Sequence, residues 1–232
     1  RTAARMAPLE AAGVTRLDSA RELARKARYV VMAVKPYQIE ALLAEMAPEF
    51  GPDTVVISVA AGISIARLQA AVGGRCPVVR CMPNTPALVG KGVFALCFDD
   101  KVPAESKEDI LRFFSQLGVC LELPESRFTA FSALIGAGPA YVFGMMQGLV
   151  QAGVTLGLGR KDCRDMVAAL FEGSAVMAAR SDTPLMELRD QVCSPGGLTI
   201  AGVNVLDRAG LSGLLVDAVL AADERGREME KE

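Results

Sequence analysis

Histidine is absent from all 232 residues. That excludes histidine acid–base catalysis, serine triads built on histidine and histidine metal sites, so any chemistry must use other groups. The chain also lacks a Cys-x-x-Cys pair. Its six cysteines, Cys76, Cys81, Cys97, Cys120, Cys163 and Cys193, stand singly in apolar surroundings. Buried, reduced thiols are therefore expected, with no disulfide scaffold, no metal site and a cytoplasmic location. No secretory signal opens the sequence and no long basic run occurs in it; with a net charge of −2, nothing points to nucleic acid or to an anionic membrane. Finally, no Gly-x-Gly-x-x-Gly follows a strand. Gly136-Ala137-Gly138 lacks both the preceding strand and the third glycine, and it lies in a helical part of the chain.

What is present is a chain able to bury a large core, 51% hydrophobic and 22% charged, long enough for one large domain or two small ones. Residues 128–159 carry no charge and exceed the length of a spanning helix. Their glycines, Pro139, Gln147 and Gln151 make the run too broken and too weakly apolar for a span, so no membrane partner is expected. Gly144 and Gly148, like Gly153 and Gly157, are spaced to let another helix approach closely. This suits a helix buried in a subunit interface, in a homodimer or a larger homo-oligomer of dimers.

In chain order, residues 1–12 read as a helix. Tyr29-Val30-Val31-Met32-Ala33-Val34 is an apolar run of strand length, and Pro36 suits the first turn of a helix to about residue 49. The pattern repeats with a strand over 54–60, a helix over 64–72 capped by Ser64, and a strand over 77–81. Such alternation implies a Rossmann-type parallel α/β sheet, with ligands at the carboxyl ends of its strands. Further strands are expected at Gly92–Phe98 and 119–123, with a helix over 103–117 between them. After Pro124 the strand signal stops, and helices are expected over 126–134, 139–155, 161–179, 184–193, 198–206 and 211–227. The expected domains are therefore 1–124, dinucleotide-binding, and 125–232, helical and dimerising. The mixed tail over 223–232 reads as a solvated helix end.

Within the helical part, Ser194-Pro195-Gly196-Gly197-Leu198-Thr199-Ile200-Ala201-Gly202 places glycines and a hydroxyl at the start of an apolar helix. Pro195 has no donor and the glycines can take conformations closed to other residues, so the next N–H groups can converge on an anion at a helix N-terminus. The same string also serves as an ordinary loop leading into a helix.

This string resembles the signature of pyrroline-5-carboxylate reductases, which reduce a cyclic imine with a nicotinamide cofactor. Three further segments match in order: Ala33-Val34-Lys35-Pro36, Cys81-Met82-Pro83-Asn84-Thr85-Pro86, and Gly136-Ala137-Gly138-Pro139-Ala140-Tyr141-Val142-Phe143. The resemblance implies reduction of 1-pyrroline-5-carboxylate to L-proline. It implies an NADP site lined by Arg1, Thr2, Ala33, Val34, Lys35, Pro36, Val59, Ala60 and Ala61, with NADPH preferred over NADH. Substrate would be held by Gly197, Leu198, Thr199, Asp182 and Asn84, with Thr199 as the catalytic hydroxyl.

Members of the family begin with a strand, a glycine-rich turn, a helix and a second strand ahead of the match to Arg1, so the chain is expected to lack that part. Ala20 stands where the family often has asparagine, and Ile135 and Ala137 replace two serines of its Ser-Gly-Ser-Gly-Pro-Ala loop, so the resemblance carries no site role to these positions. Two alternatives stand beside this implication. One is another reductase or dehydrogenase of the same architecture; the other is a non-catalytic dimeric binding protein.

Overall fold

The computed structural model describes residues 3–230. Helices α1 (Ala3–Ala11) and α2 (Ala20–Lys26) precede strand β1 (Tyr29–Met32), and helix α3 (Pro36–Met46) leads to β2 (Val55–Ser58). Helix α4 (Ile65–Ala71), β3 (Val78–Met82), β4 (Gly92–Phe98), helix α5 (Ala104–Ser115) and β5 (Gly118–Glu122) complete the α/β part. The starts of α2 and α4 follow from short polar side chains. Ser19 Oγ accepts the Glu22 N–H at 3.1 Å and Ser64 Oγ accepts that of Arg67 at 3.2 Å, each filling an orphan donor of a first turn.

The strands form one sheet in the order β1-β2-β3-β4-β5. The first three are parallel, with Tyr29 opposite Val55 and Val56 opposite Val78. The parallel arrangement expected of these three is found; beyond it, β4 runs antiparallel to β3 with Val79 opposite Phe98, before β5 returns parallel to β4. The cause is the short link between β3 and β4, which holds only the 3-10 turn Thr85–Val89 and leaves no room for the helix a parallel crossover requires.

Because side chains alternate along a strand, the two sheet faces build separate cores. Val30, Met32, Val56 and Val78 pack with Ile39 and Leu43 of α3 and Leu68 of α4. On the other face Val55, Ile57, Val79, Cys81 and Leu96 pack with Ile110 and Phe114 of α5.

Beyond β5, the run Glu125–Thr155 is long and apolar enough to cross a membrane by length and composition alone. It is not one regular helix. A 3-10 turn (Glu125–Arg127) passes into α6 (Phe128–Phe131), a π-helical segment (Ser132–Gly136) and then α7 (Gly138–Thr155). There follow α8 (Arg160–Ala179), α9 (Leu185–Gln191), α10 (Leu198–Arg208) and α11 (Leu211–Met229).

Contacts divide the described chain into 3–136 with 226–230, and 137–225. The composition shift at Pro124 lies ahead of this division because Phe128 and Phe131 pack with Ala95 of β4. In 137–225 only Val150 and Cys163 are buried, while Phe143, Leu170, Met177, Val205 and Leu214 are exposed. Apolar surface exposed to this extent is the kind that marks an interaction site. Inside this unit α7 and α8 approach closely at Gly153, where a Cβ would lie 2.6 Å from Cys163 Sγ.

Candidate active site

The carboxyl ends of the parallel strands are where this architecture places ligands. After β1, Ala33 and Lys35 are exposed and Val34 and Pro36 half-buried, and Lys35 is the N-cap residue of α3. Its main-chain N–H donates to Gln38 Oε1 at 3.3 Å. A lysine here adds a charge to a helix end that is already partly positive, and no acidic residue occupies the first turn. This combination is unfavourable by itself and is suited to an anionic group such as a phosphate. After β2, Val59 is half-buried, Ala60 buried and Ala61 exposed; the loop carries no bulky polar side chain, so flat apolar groups can lie against it.

After β3, Asn84 has a structural task. Its Oδ1 accepts the Val93 N–H at 2.9 Å and its Nδ2 donates to the Ile135 carbonyl at 3.3 Å, tying the start of β4 to the π-helical segment. Gly136 belongs to the same junction, since a Cβ there would lie 3.1 Å from the Met82 methyl. Each end of the Asn84 amide thus makes one bond, which fixes the orientation of the side chain.

Residues 137–225 hold the glycine-rich turn. Gly196 adopts a left-handed φ of 67°, and the Gly197 N–H donates back to the Ser194 carbonyl at 3.0 Å. A Cβ on Gly197 would collide with Ser194 Oγ. The Gly197 N–H is therefore spent in the turn. Leu198 and Thr199 are the first residues of α10, whose first intrahelical bond comes from Ala201 to Gly197, and no side chain caps this end. Their N–H groups project as unpaired donors at the positive end of an 11-residue helix. Leu198 is 95% exposed. Thr199 is exposed too, and its hydroxyl carries no hydrogen bond among the described residues. Asp182 is likewise exposed and does not cap α9: Pro184 holds the N-cap position, and Ser181 Oγ, not Asp182, accepts the Thr183 N–H.

Arg1 and Thr2 lie outside the described residues. The cysteines are all free thiols. Burial pushes the Cys81 thiol, on β3, up to about 12 and that of Cys76 up to about 11, so neither offers a thiolate nucleophile near neutral pH. Among the described residues no cluster of metal-ligating side chains forms.

A feature that patterning did not single out is the charged residue inside β3. Arg80, with a side chain only 6% exposed, pairs with Glu125 and Glu230, both at 3.1 Å. The tail expected to be a solvated helix end is helical to Met229 and mostly exposed, and within it Glu230 is tied to the sheet. The available signal was an arginine inside the otherwise apolar Val78-Val79-Arg80-Cys81-Met82, which calls for a carboxylate partner.

Comparisons with known proteins find matches to both parts of the chain. A family model described as pyrroline-5-carboxylate reductase dimerisation matches residues 125–229, and one described as NADP oxidoreductase coenzyme F420-dependent matches 1–62. A pyrroline-5-carboxylate reductase of Corynebacterium melassecola is 37% identical over 222 residues, covering 94% of this chain and 82% of the relative. One from Pseudomonas aeruginosa is 37% identical over 214 residues, covering 92% and 78%. The crystal structure of Plasmodium falciparum pyrroline carboxylate reductase with NADP bound superposes with a TM-score of 0.86 at 34% identity, covering 92% of this chain and 81% of that one. That of the Coxiella burnetii pyrroline-5-carboxylate reductase gives 0.87 at 32%, covering 95% and 82%. With a family model over the helical part and relatives alike in sequence and fold along most of both chains, this chain belongs to the pyrroline-5-carboxylate reductase family.

Proposed function

We propose that the chain reduces 1-pyrroline-5-carboxylate to L-proline, the last step of proline biosynthesis, using NADPH in preference to NADH. The observation that carries this reading is the pair of unpaired N–H groups on Leu198 and Thr199 at the start of α10, a ready acceptor for a carboxylate. Gly197 serves the same cradle through its missing Cβ, which lets the turn close over Ser194. Asp182 and Asn84 complete the proposed substrate contacts.

The chain's own residues suit a nicotinamide cofactor: Lys35 and the α3 N-terminus offer positive charge, Ala33, Val34 and Pro36 a short turn, and Val59, Ala60 and Ala61 a small apolar loop. Arg1 and Thr2 would add contacts to the 2′-phosphate through charge-assisted bonds, which is the basis for preferring NADPH. When bound, the reduced cofactor supplies the hydride that the imine carbon accepts. A protonated imine is already electrophilic, so the protein's task is to orient the ring and hold its carboxylate, with water kept out. The Thr199 hydroxyl lies beside the ring nitrogen in this reading and donates to it or relays its proton. No histidine is needed for any of this.

The exposed apolar surface of 137–225 supports a homodimer, or a homo-oligomer of dimers, built on a dimerisation domain that starts at Glu125. Six free cysteines suit a cytoplasmic setting.

The test is Leu198→Pro. Proline is favoured at the first helical position, and Gly197 already has the extended backbone that precedes a proline, so the helix should persist while one donor disappears. The substrate KM should rise roughly tenfold or more, the usual effect of losing a hydrogen bond to a charged group. An unchanged KM in a folded variant removes this cradle from the substrate site.

A further inference from the structure

Arg80 lies in the middle of the sheet and draws together segments distant in sequence. Its Nη1 donates to Glu125 Oε1 and its Nη2 to Glu230 Oε1, while the guanidinium stacks 4.7 Å above the Phe128 ring. Glu125 Oε1 also accepts the N–H of Ile65 at 2.7 Å. Ile65 is the first residue of α4 and directly follows the loop that leaves β2. On its other side the same loop is met by the end of α11. The Met229 carbonyl oxygen lies 4.0 Å from the position a Gly62 Cβ would take, and Gly62 has a φ of 76°. The helix end is itself closely seated, because a Cβ on Gly226 would come 2.7 Å from the Thr129 methyl of α6. Arg80 thus fixes both supports of the loop, one through Glu125 and one through Glu230.

We propose that Arg80 is a positioning residue for the cofactor, holding loop 59–64 in its binding shape through Glu125 and Glu230, the residue that follows α11. The proposal rests on the placement of the cofactor against Val59, Ala60 and Ala61 given above. It adds that the end of the last helix, which touches no proposed ligand contact, sets cofactor affinity. The pairs border a polar recess of about 400 Å³ lined by Gly62, Ser64, Arg67 and Thr129. Glu125 and Glu230 are 34% and 36% exposed, so the Glu230 arm can open without unfolding the sheet. Removing the Glu230 charge should loosen the Gly62 side of the loop and leave Glu125 on Arg80.

The experiment measures NADPH binding without substrate, substrate KM at saturating NADPH, and melting temperature, for the unmodified protein, Glu230→Gln and Glu230→Asp. Glu230→Gln keeps the shape and removes the charge. The dissociation constant for NADPH should rise about three- to thirtyfold, a partial loss of one charge-assisted contact. The substrate KM and melting temperature should change little, and Glu230→Asp should recover part of the affinity. NADPH affinity unchanged in Glu230→Gln overturns the proposal while leaving the reductase reading intact. A parallel loss of NADPH binding, substrate binding and melting temperature also overturns it, since that is the pattern of a purely structural tie. An unmodified protein that binds no NADPH overturns both.

Discussion

Asn84 Oδ1 accepts the Val93 N–H at 2.9 Å, so a residue of the link that leaves β3 also pins the first residues of the antiparallel strand. With its Nδ2 on the Ile135 carbonyl, Asn84 joins β3, β4 and the π-helical segment in one set of bonds. Asn84→Ala strands both partners in a half-buried place. It should cost about 1–3 kcal/mol of unfolding free energy in urea titration, since each unsatisfied group loses its water as well. A loss no larger than that of a neutral surface substitution would show that Asn84 does not bear this load.

Gly148 lies on α7 with nothing within 4 Å of where its Cβ would be. Leucine at that position therefore fits an isolated subunit and clashes only if another subunit packs there. Gly148→Leu should leave the fold intact by circular dichroism and weaken self-association by about 1–3 kcal/mol, or roughly five- to 150-fold in dissociation constant. Sedimentation that finds the same dimer affinity in both proteins would move the interface away from this face of α7.

Thr199→Val keeps the branched shape and the main-chain N–H and deletes only the hydroxyl. If that group donates in the transition state, single-turnover hydride transfer should fall roughly 10- to 1000-fold with a smaller change in substrate affinity. If it serves the helix start alone, the change appears as about 1 kcal/mol of stability with transfer intact.

The two buried thiols give a stability signature at high pH. Cys81 and Cys76 are held protonated in the fold, up to about 12 and about 11, whereas in the unfolded chain they ionise near their ordinary value. Between about pH 9 and 11 the native state therefore binds more protons than the unfolded one, and stability must fall as pH rises, by about 1 kcal/mol per pH unit for each thiol. The Cys76→Ala, Cys81→Ala double variant should show a flatter decline of melting temperature over that window. An identical slope would mean that these sulfurs are more hydrated than their burial implies.

Much of this architecture was legible because strand and helix periodicity report burial directly. The run from Tyr29 to Met32, the prolines and serines at helix starts and the glycine-rich turn before Leu198 each carry their own local cause. The reversal at β4 was not, because strand direction depends on whether a nine-residue link can span a crossover, a spatial condition that the apolar pattern of Gly92–Phe98 does not encode. At the glycine-rich turn, residue types pointed to an anion cradle, yet only coordinates reveal that Gly197 spends its N–H on Ser194 and leaves Leu198 and Thr199 as the donors. Arg80 and Glu230 are 150 positions apart, and no local rule pairs them.

The most direct test follows NADPH consumption and L-proline formation together in one reaction with 1-pyrroline-5-carboxylate. One proline should form for each NADPH oxidised, with slower turnover on NADH. A folded protein that binds NADPH and yet oxidises none of it, or oxidises it without forming proline, would contradict the proposed reaction.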